Sequence, residues 1–302
     1  MRHRIVAALL AGFLAAPAVV AAPGPLALAC EPEWGALVEA IGGERVSLQV
    51  ATTARQDPHR VEARPSLLAA ARRADLLVCT GADLEAGWLP VLLNRAGNPR
   101  IQPGQPGHLM AADQVTLLER PARLDRAEGD IHPGGNPHIH TDPRNLARVA
   151  AALTERLVRI DPEGEAGYRE RFARFSADWR QALDRWRARA TPLAGVEVVV
   201  SHKAFPYLQA WLGLIEVAAL EERPGVAPGP AHLQAVLRAI DARPVRMILR
   251  TPLDDPDAGR WLSQRTGLPI VTLPYTVGGS PAAQDLTTLF DATLDGLLEA
   301  LK

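Results

Sequence analysis

From residue 23 onward, short apolar runs alternate with helical stretches, and that alternation leaves few folds open to the chain. Leu26–Cys30, Val46–Ala51 and Asp75–Cys79 read as strands, with helices at Trp34–Ile41, Pro65–Arg73 and around Glu85–Asn94. A similar unit returns later, with strands at Val196–Val200, Ile215–Ala218, Met247–Leu249 and Ile270–Leu273. Helices at Ala204–Leu212, Ala231–Ala242, Asp257–Thr266 and Asp285–Leu301 separate and close them. A helix between successive strands carries the chain back to its starting end, so the strands pair in parallel and helices cover both faces. The expected class is therefore α/β: two lobes, each with a mainly parallel sheet flanked by helices. With 302 residues, 47% of them apolar, the chain can fill two such cores.

Between the two units lies the longest helical stretch. Pro143–Ile160 places Leu146, Val149, Ala150, Leu153 and Leu157 at helical spacing and stops at Asp161-Pro162. Glu163–Ala190 places Tyr168, Phe172, Phe175, Trp179, Leu183 and Trp186 three or four apart, one apolar face backed by Arg and Glu. Some 28 helical residues span ~42 Å, the length of a two-lobed molecule. The predicted divisions are an N-terminal lobe over 23–142, a helical connector over 143–190 and a C-terminal lobe over 191–302.

Residues 1–22 stand apart. Arg2 and Arg4 precede apolar Ile5–Val20, and Val20-Ala21-Ala22 offers small residues for cleavage, the pattern of a secretory signal peptide cleaved near Ala22. The apolar stretch approaches the ~20 residues of a membrane span, but Pro17 and the small-residue end favour a cleaved leader. Ala27-Leu28-Ala29-Cys30 faintly resembles a lipoprotein box, yet it lies far beyond the apolar region, and cleavage there would delete the first strand. Export permits a disulfide, and Cys30 and Cys79, each ending a strand run, are the only cysteines; two buried thiols are the alternative. The 33 Lys and Arg nearly balance the 34 Asp and Glu, with no long run of one sign, which excludes an electrostatic binder of nucleic acid.

The residues with chemistry to offer are histidines placed just beyond strands or before a helix. His59 follows the second strand in Gln56-Asp57-Pro58-His59. His138 lies in Asn136-Pro137-His138, before the first connector helix, and His202 follows Val196–Val200 directly. Open α/β sheets bind ligands at the carboxyl ends of their strands, so the three converge on a cleft between the lobes. Neutral imidazole suits zinc, copper and nickel, whereas manganese and magnesium favour carboxylate oxygen. A site rich in histidine points to Zn²⁺, completed by a carboxylate or water. Three histidines with an open position would also suit a secreted zinc hydrolase, with Glu222 or Asp130 as the bases to consider.

At these residues the chain resembles the zinc/manganese-type (ZnuA/TroA-like) solute-binding proteins of bacterial ABC importers. The likeness runs through Asp57-Pro58-His59 with Arg64-Pro65-Ser66, and through Ala74-Asp75-Leu76 leading to Thr80-Gly81-Ala82-Asp83-Leu84-Glu85. It continues in Asn136-Pro137-His138 with Asp142-Pro143, and in Ser201-His202-Lys203-Ala204-Phe205-Pro206-Tyr207. It implies metal ligation by His59, His138 and His202, a rigid long helix joining the lobes, and a periplasmic carrier, not an enzyme, delivering metal to an ABC permease transmembrane subunit. A monomer and a periplasmic zinc chaperone as donor fit the same picture. The family's fourth ligand is commonly an Asp in the last loop. Pro274-Tyr275-Thr276-Val277-Gly278-Gly279 holds none, so Asp285 or water is expected there, Asp285 being equally an ordinary helix cap. Glu222 is a candidate to orient a ligand histidine. The loop Asp125–His140, with Asp125, Glu128, Asp130, His132 and His140, reads either as a mobile capture loop that speeds loading or as a plain polar connector. His108 and His232 are expected to cap or face solvent.

Overall fold

Both strand–helix units form four-stranded sheets, wholly parallel and built in the same order. In the computed structural model, which describes residues 24–121 and 132–302, β1 (Leu26–Ala29), β2 (Ser47–Val50), β3 (Leu76–Cys79) and β4 (His108–Met110) are ordered β2-β1-β3-β4. β5 (Glu197–Val200), β6 (Ile215–Ala219), β7 (Met247–Arg250) and β8 (Ile270–Thr272) are ordered β6-β5-β7-β8. The expected leader, and Asp125, Glu128 and Asp130 of the loop, lie outside the described residues.

The helices begin largely where proline lets them. α1 (Pro32–Gly42), α2 (Pro65–Arg73), α3 (Leu89–Ala96), α4 (Pro143–Ile160), α6 (Pro206–Leu212), α7 (Pro230–Asp241) and α8 (Pro256–Thr266) each carry Pro in their first two positions. There the missing N–H costs nothing and the fixed φ suits the first turn. α5 (Glu165–Arg189) and α9 (Leu286–Glu299) complete the set.

Alternation along the strands divides the apolar residues between inner and outer cores. Ala27, Ala29, Leu76 and Val78 point inward with Val198, Val200, Met247 and Leu249 of the other sheet, into one cluster that also takes in α1, α4, α5 and α9. Leu28, Leu77 and Cys79 point outward onto α2 and α3, and Val199 and Ile248 onto α7 and α8. One apolar cluster thus runs through both lobes.

Helix α5, 25 residues long, is its spine. Trp186 is fully buried, packs edge-on to Trp179 and Trp211, and donates Nε1–H to Asp291 Oδ1 at 2.9 Å on α9. Trp179 Nε1 donates to the Pro143 carbonyl at 2.8 Å, fixing α5 against the start of α4. At 150–250 Å² per ring, each buried indole contributes on the order of 4 kcal/mol of apolar burial. The aromatic stripe read from the sequence is core packing.

Cys30 and Cys79 are disulfide-bonded with Cα atoms 4.8 Å apart, joining the carboxyl ends of adjacent β1 and β3. Among the described residues no helix is long and apolar enough to cross a membrane. Among the described residues, β4 is the strand the hydropathy pattern does not announce: only Leu109 of its three residues is buried.

Candidate metal centre

The carboxyl ends of both sheets face one cleft, and three histidines stand there on loops that leave β2, precede α4 and leave β5. They line a cavity of about 350 Å³ together with Asp254, Glu221 and Tyr275. Ring centroids are 6.1 Å apart for His59 and His138, and 5.4 Å for His138 and His202. His138 is the middle ring and is buried.

Two of the rings are aimed by the same local device. In Asp57-Pro58-His59, Asp57 Oδ1 accepts the His59 backbone N–H at 2.9 Å and faces its Nδ1 at 2.8 Å. In Asn136-Pro137-His138, Asn136 Oδ1 accepts the His138 N–H at 3.0 Å and faces Nδ1 at 2.8 Å. An Asx side chain two residues before the histidine can reach both groups, and the intervening proline stiffens the turn. Tertiary contacts hold these loops in place. Trp88 Nε1 donates to the Pro58 carbonyl at 2.9 Å, and Tyr207 OH donates to the Asn136 carbonyl at 2.7 Å.

The third ring is aimed from a distance: His202 Nδ1 lies 2.7 Å from Glu221 Oε2, just beyond β6. Each Nδ1 therefore faces an oxygen acceptor, carries its hydrogen there and leaves Nε2 as a bare donor, as ligating imidazoles require. The orienting glutamate expected at Glu222 is Glu221; Glu222 is exposed and Glu221 faces the ring. Glu221→Ala is expected to lower metal affinity about 10- to 100-fold with the three rings still present; unchanged affinity in competitive titration would remove Glu221 from the site.

Electrostatics keep the rings unlike. Burial, followed by the neighbouring His202 and His59, pushes His138 well below its ordinary pKa, so it stays neutral. Burial would lower His202 too, but the Glu221 carboxylate overrides it and raises that ring. Asp57 is lowered despite its burial, because His59 contacts it through ring and backbone.

The rings are splayed: among the described residues, no three histidine donor atoms lie within 4.8 Å of one another. Nitrogens ~2.0–2.1 Å from one tetrahedral zinc would be about 3.3–3.4 Å apart, closer than the three rings stand here. The residue types fit such an ion. The compact group Cys30, Cys79 and Glu85 is no rival, since its two sulfurs are bonded to each other.

Asp285 is elsewhere. It is exposed, N-caps α9 by accepting the Thr288 N–H at 2.8 Å in a capping box, and lines a different cavity beside Trp179 and Phe175. Its carboxylate is committed to the helix cap, and Asp285 is not among the residues that line the histidine cavity. Asp254, absent from the sequence reading, stands in the cleft wall, but its two oxygens accept from Thr251 N and Oγ1 at 2.8 and 2.7 Å.

His140 is not a capture residue. It is buried, with Nε2 3.0 Å from the Tyr275 carbonyl and Nδ1 3.4 Å from Glu33 Oε1, tying the segment before α4 to both lobes. Thr276 Oγ1 donates to Glu33 from the opposite lobe. Beneath them Glu31 and Glu85 are buried at the ends of β1 and β3. Burial raises Glu31 well above the carboxylate range, assisted by Glu85 and Glu33, and raises Glu85 to about 7. His108 and His232 bond the carbonyls of Ile101 and Ala219 at 2.9 and 3.0 Å. His132 stands at the cleft, its Nε2 3.3 Å from that of His59.

Two parallel α/β lobes fixed about a histidine-lined cleft define a two-lobed metal-binding protein. The chain belongs to the ZnuA family, whose model, described as "Zinc-uptake complex component A periplasmic", matches residues 28–300. It is 27% identical over 239 residues to the high-affinity zinc uptake system protein ZnuA of Paracoccus denitrificans, covering 68% of this chain and 69% of that one. The protein of the same name from Yersinia pestis is 25% identical over 74% of this chain and 71% of its own length. The manganese-binding lipoprotein MntA of Halalkalibacterium halodurans is 25% identical over 62% of this chain and 57% of its own. In fold, a crystal structure of ZnuA superposes with a TM-score of 0.75 at 21% identity, covering 92% of this chain and all of that one. Members of this family are components of metal import and not enzymes, and the hydrolase alternative is set aside.

Proposed function

We infer that the protein is the periplasmic zinc carrier of an ABC importer. It holds one Zn²⁺ between its lobes on His59, His138 and His202 and hands it to the transmembrane permease. The observation that supports this reading best is that three imidazoles, each with Nδ1 facing an oxygen, line one cavity. Nitrogen donors favour zinc over manganese, and the names of the Paracoccus and Yersinia relatives support the same choice. A cleaved leader, a monomeric state and loading by a periplasmic zinc chaperone belong to this reading.

The test is competitive titration of demetallated protein with Zn²⁺ and Mn²⁺, alongside sedimentation of the loaded form. One zinc per chain, bound more tightly than manganese, is the expected result. Equal or tighter manganese binding overturns the zinc assignment.

A further inference from the structure

We propose that His132 is a direct ligand of the bound metal, the fourth imidazole beside His59, His138 and His202. The inference rests on the three-histidine reading above and adds to it the donor that sequence reasoning sought in Asp285.

His132 Nε2 lies 3.3 Å from His59 Nε2, and the rings are 5.3 Å apart and inclined by 41°, so they meet tip to tip and do not stack. Two imidazole nitrogens on one tetrahedral zinc stand about 3.3–3.4 Å apart. The pair is already at the spacing of one edge of such a tetrahedron. His59 Nδ1 is held by Asp57, so the nitrogen it shows to His132 is the one it shows to the metal.

The loop is built to hold His132 there. The Gly135 N–H donates to the His132 carbonyl at 3.0 Å, and Gly135 turns at φ +121, a conformation that side chains disfavour. A Cβ on Gly135 would also lie 2.7 Å from the Leu118 carbonyl oxygen. Directly beyond it, Asn136 is fixed by its N–H to the Leu118 carbonyl at 2.8 Å and by Nδ2 to the Lys203 carbonyl at 2.8 Å. The turn therefore brings His132 and His138, six residues apart, both next to His59, with ring centroids 5.3 and 6.1 Å from it.

The other donors near the cleft are spoken for. Asp57 and Glu221 orient rings, Asp254 gives both oxygens to Thr251, and Asp285 caps α9. Four nitrogens and no oxygen make a centre that disfavours manganese. His132 shares its loop with His138 and is tied to it through the turn at Gly135. This differs from a capture loop that alters rates alone: loss of His132 lowers equilibrium affinity.

The experiment compares wild type, His132→Ala and Asp254→Asn, each loaded with zinc. X-ray absorption counts the imidazoles, and competitive titration gives the Zn²⁺ and Mn²⁺ affinities. Cobalt substitution reports four-coordination in parallel. Wild type should show four imidazoles, and His132→Ala three plus an oxygen. Its zinc affinity should fall by at least the roughly 10- to 100-fold that loss of an orienting partner costs, with manganese affinity nearly unchanged. Three imidazoles in the wild type, or the same count and affinity in His132→Ala, overturns the proposal while leaving the three-histidine site intact. Loss of the oxygen signal in Asp254→Asn, with His132→Ala silent, overturns it in favour of Asp254. Failure of the underlying reading would look different: wild-type zinc affinity in His59→Ala or His202→Ala.

Discussion

His138→Ala should lose more than about 100-fold in zinc affinity, beyond the range for removing an orienting partner, while the fold survives. The middle ring is removed, the one whose neighbours at 6.1 and 5.4 Å are the other two ligands. The ring contributes little to the cores, so thermal melting of the metal-free variant should match wild type closely. Asp285→Ala is the contrasting case. It should bind zinc normally and lose about 1 kcal/mol of stability, the usual cost of an N-cap. Titration and melting of the two variants side by side separate ligand from cap, and wild-type affinity in His138→Ala would falsify the site.

The second large effect is acid release. Zinc competes with protons for imidazole, and a ring of ordinary pKa, ~6.5, loses about 10-fold in affinity between pH 7.5 and 5.5. His202 exceeds that share: its pKa is raised, so it takes a proton at higher pH than a free imidazole would. His138 falls short of it, because burial and its histidine neighbours lower its pKa and it remains a free base. The sign is therefore weaker binding as pH falls, on the order of 100-fold across the window, beginning at His202. Glu221→Gln should shift that onset to lower pH by removing the charge that raises His202. Competitive titration at a series of pH values reads both, and a flat profile sinks a site made of imidazole.

Much of this architecture was legible because the information is local. Strands one residue deep in apolar side chains and helices opened by proline declare themselves, and Pro65–Arg73 and Pro143–Ile160 appear in the structure with the bounds the pattern predicts. β4 was not legible, since its pairing with β3 rests on a three-residue stretch with one buried side chain. Asp-Pro-His and Asn-Pro-His are visible as repeats in the sequence, and the structure shows why they recur: one Asx oxygen serves both the backbone and the ring.

The failures were of long-range placement. Asp285 looked available because a helix-capping acid and a ligand acid are the same residue in one dimension. Glu221 and Glu222 are neighbours on the chain but face differently once β6 ends. Asp254 and the buried acids Glu31, Glu33 and Glu85 are residue types that read as surface until the fold closes over them. His140 sits two residues from a ligand, yet its contacts are Tyr275 and Glu33, 135 and 107 positions away.

The apolar cluster that runs from β1 through α5 to α9 couples the cleft to the thermodynamics of the whole described body. Neither lobe can unfold alone without baring part of the shared interior, so the described body should melt in one transition. Any ion bound at the cleft then raises the stability of all of it, by RT ln(1 + [L]/Kd), or about 4 kcal/mol at a thousandfold excess over Kd. A loaded carrier is thus a more protease-resistant molecule from end to end, and an emptied one is marked by its lower melting temperature in both lobes at once.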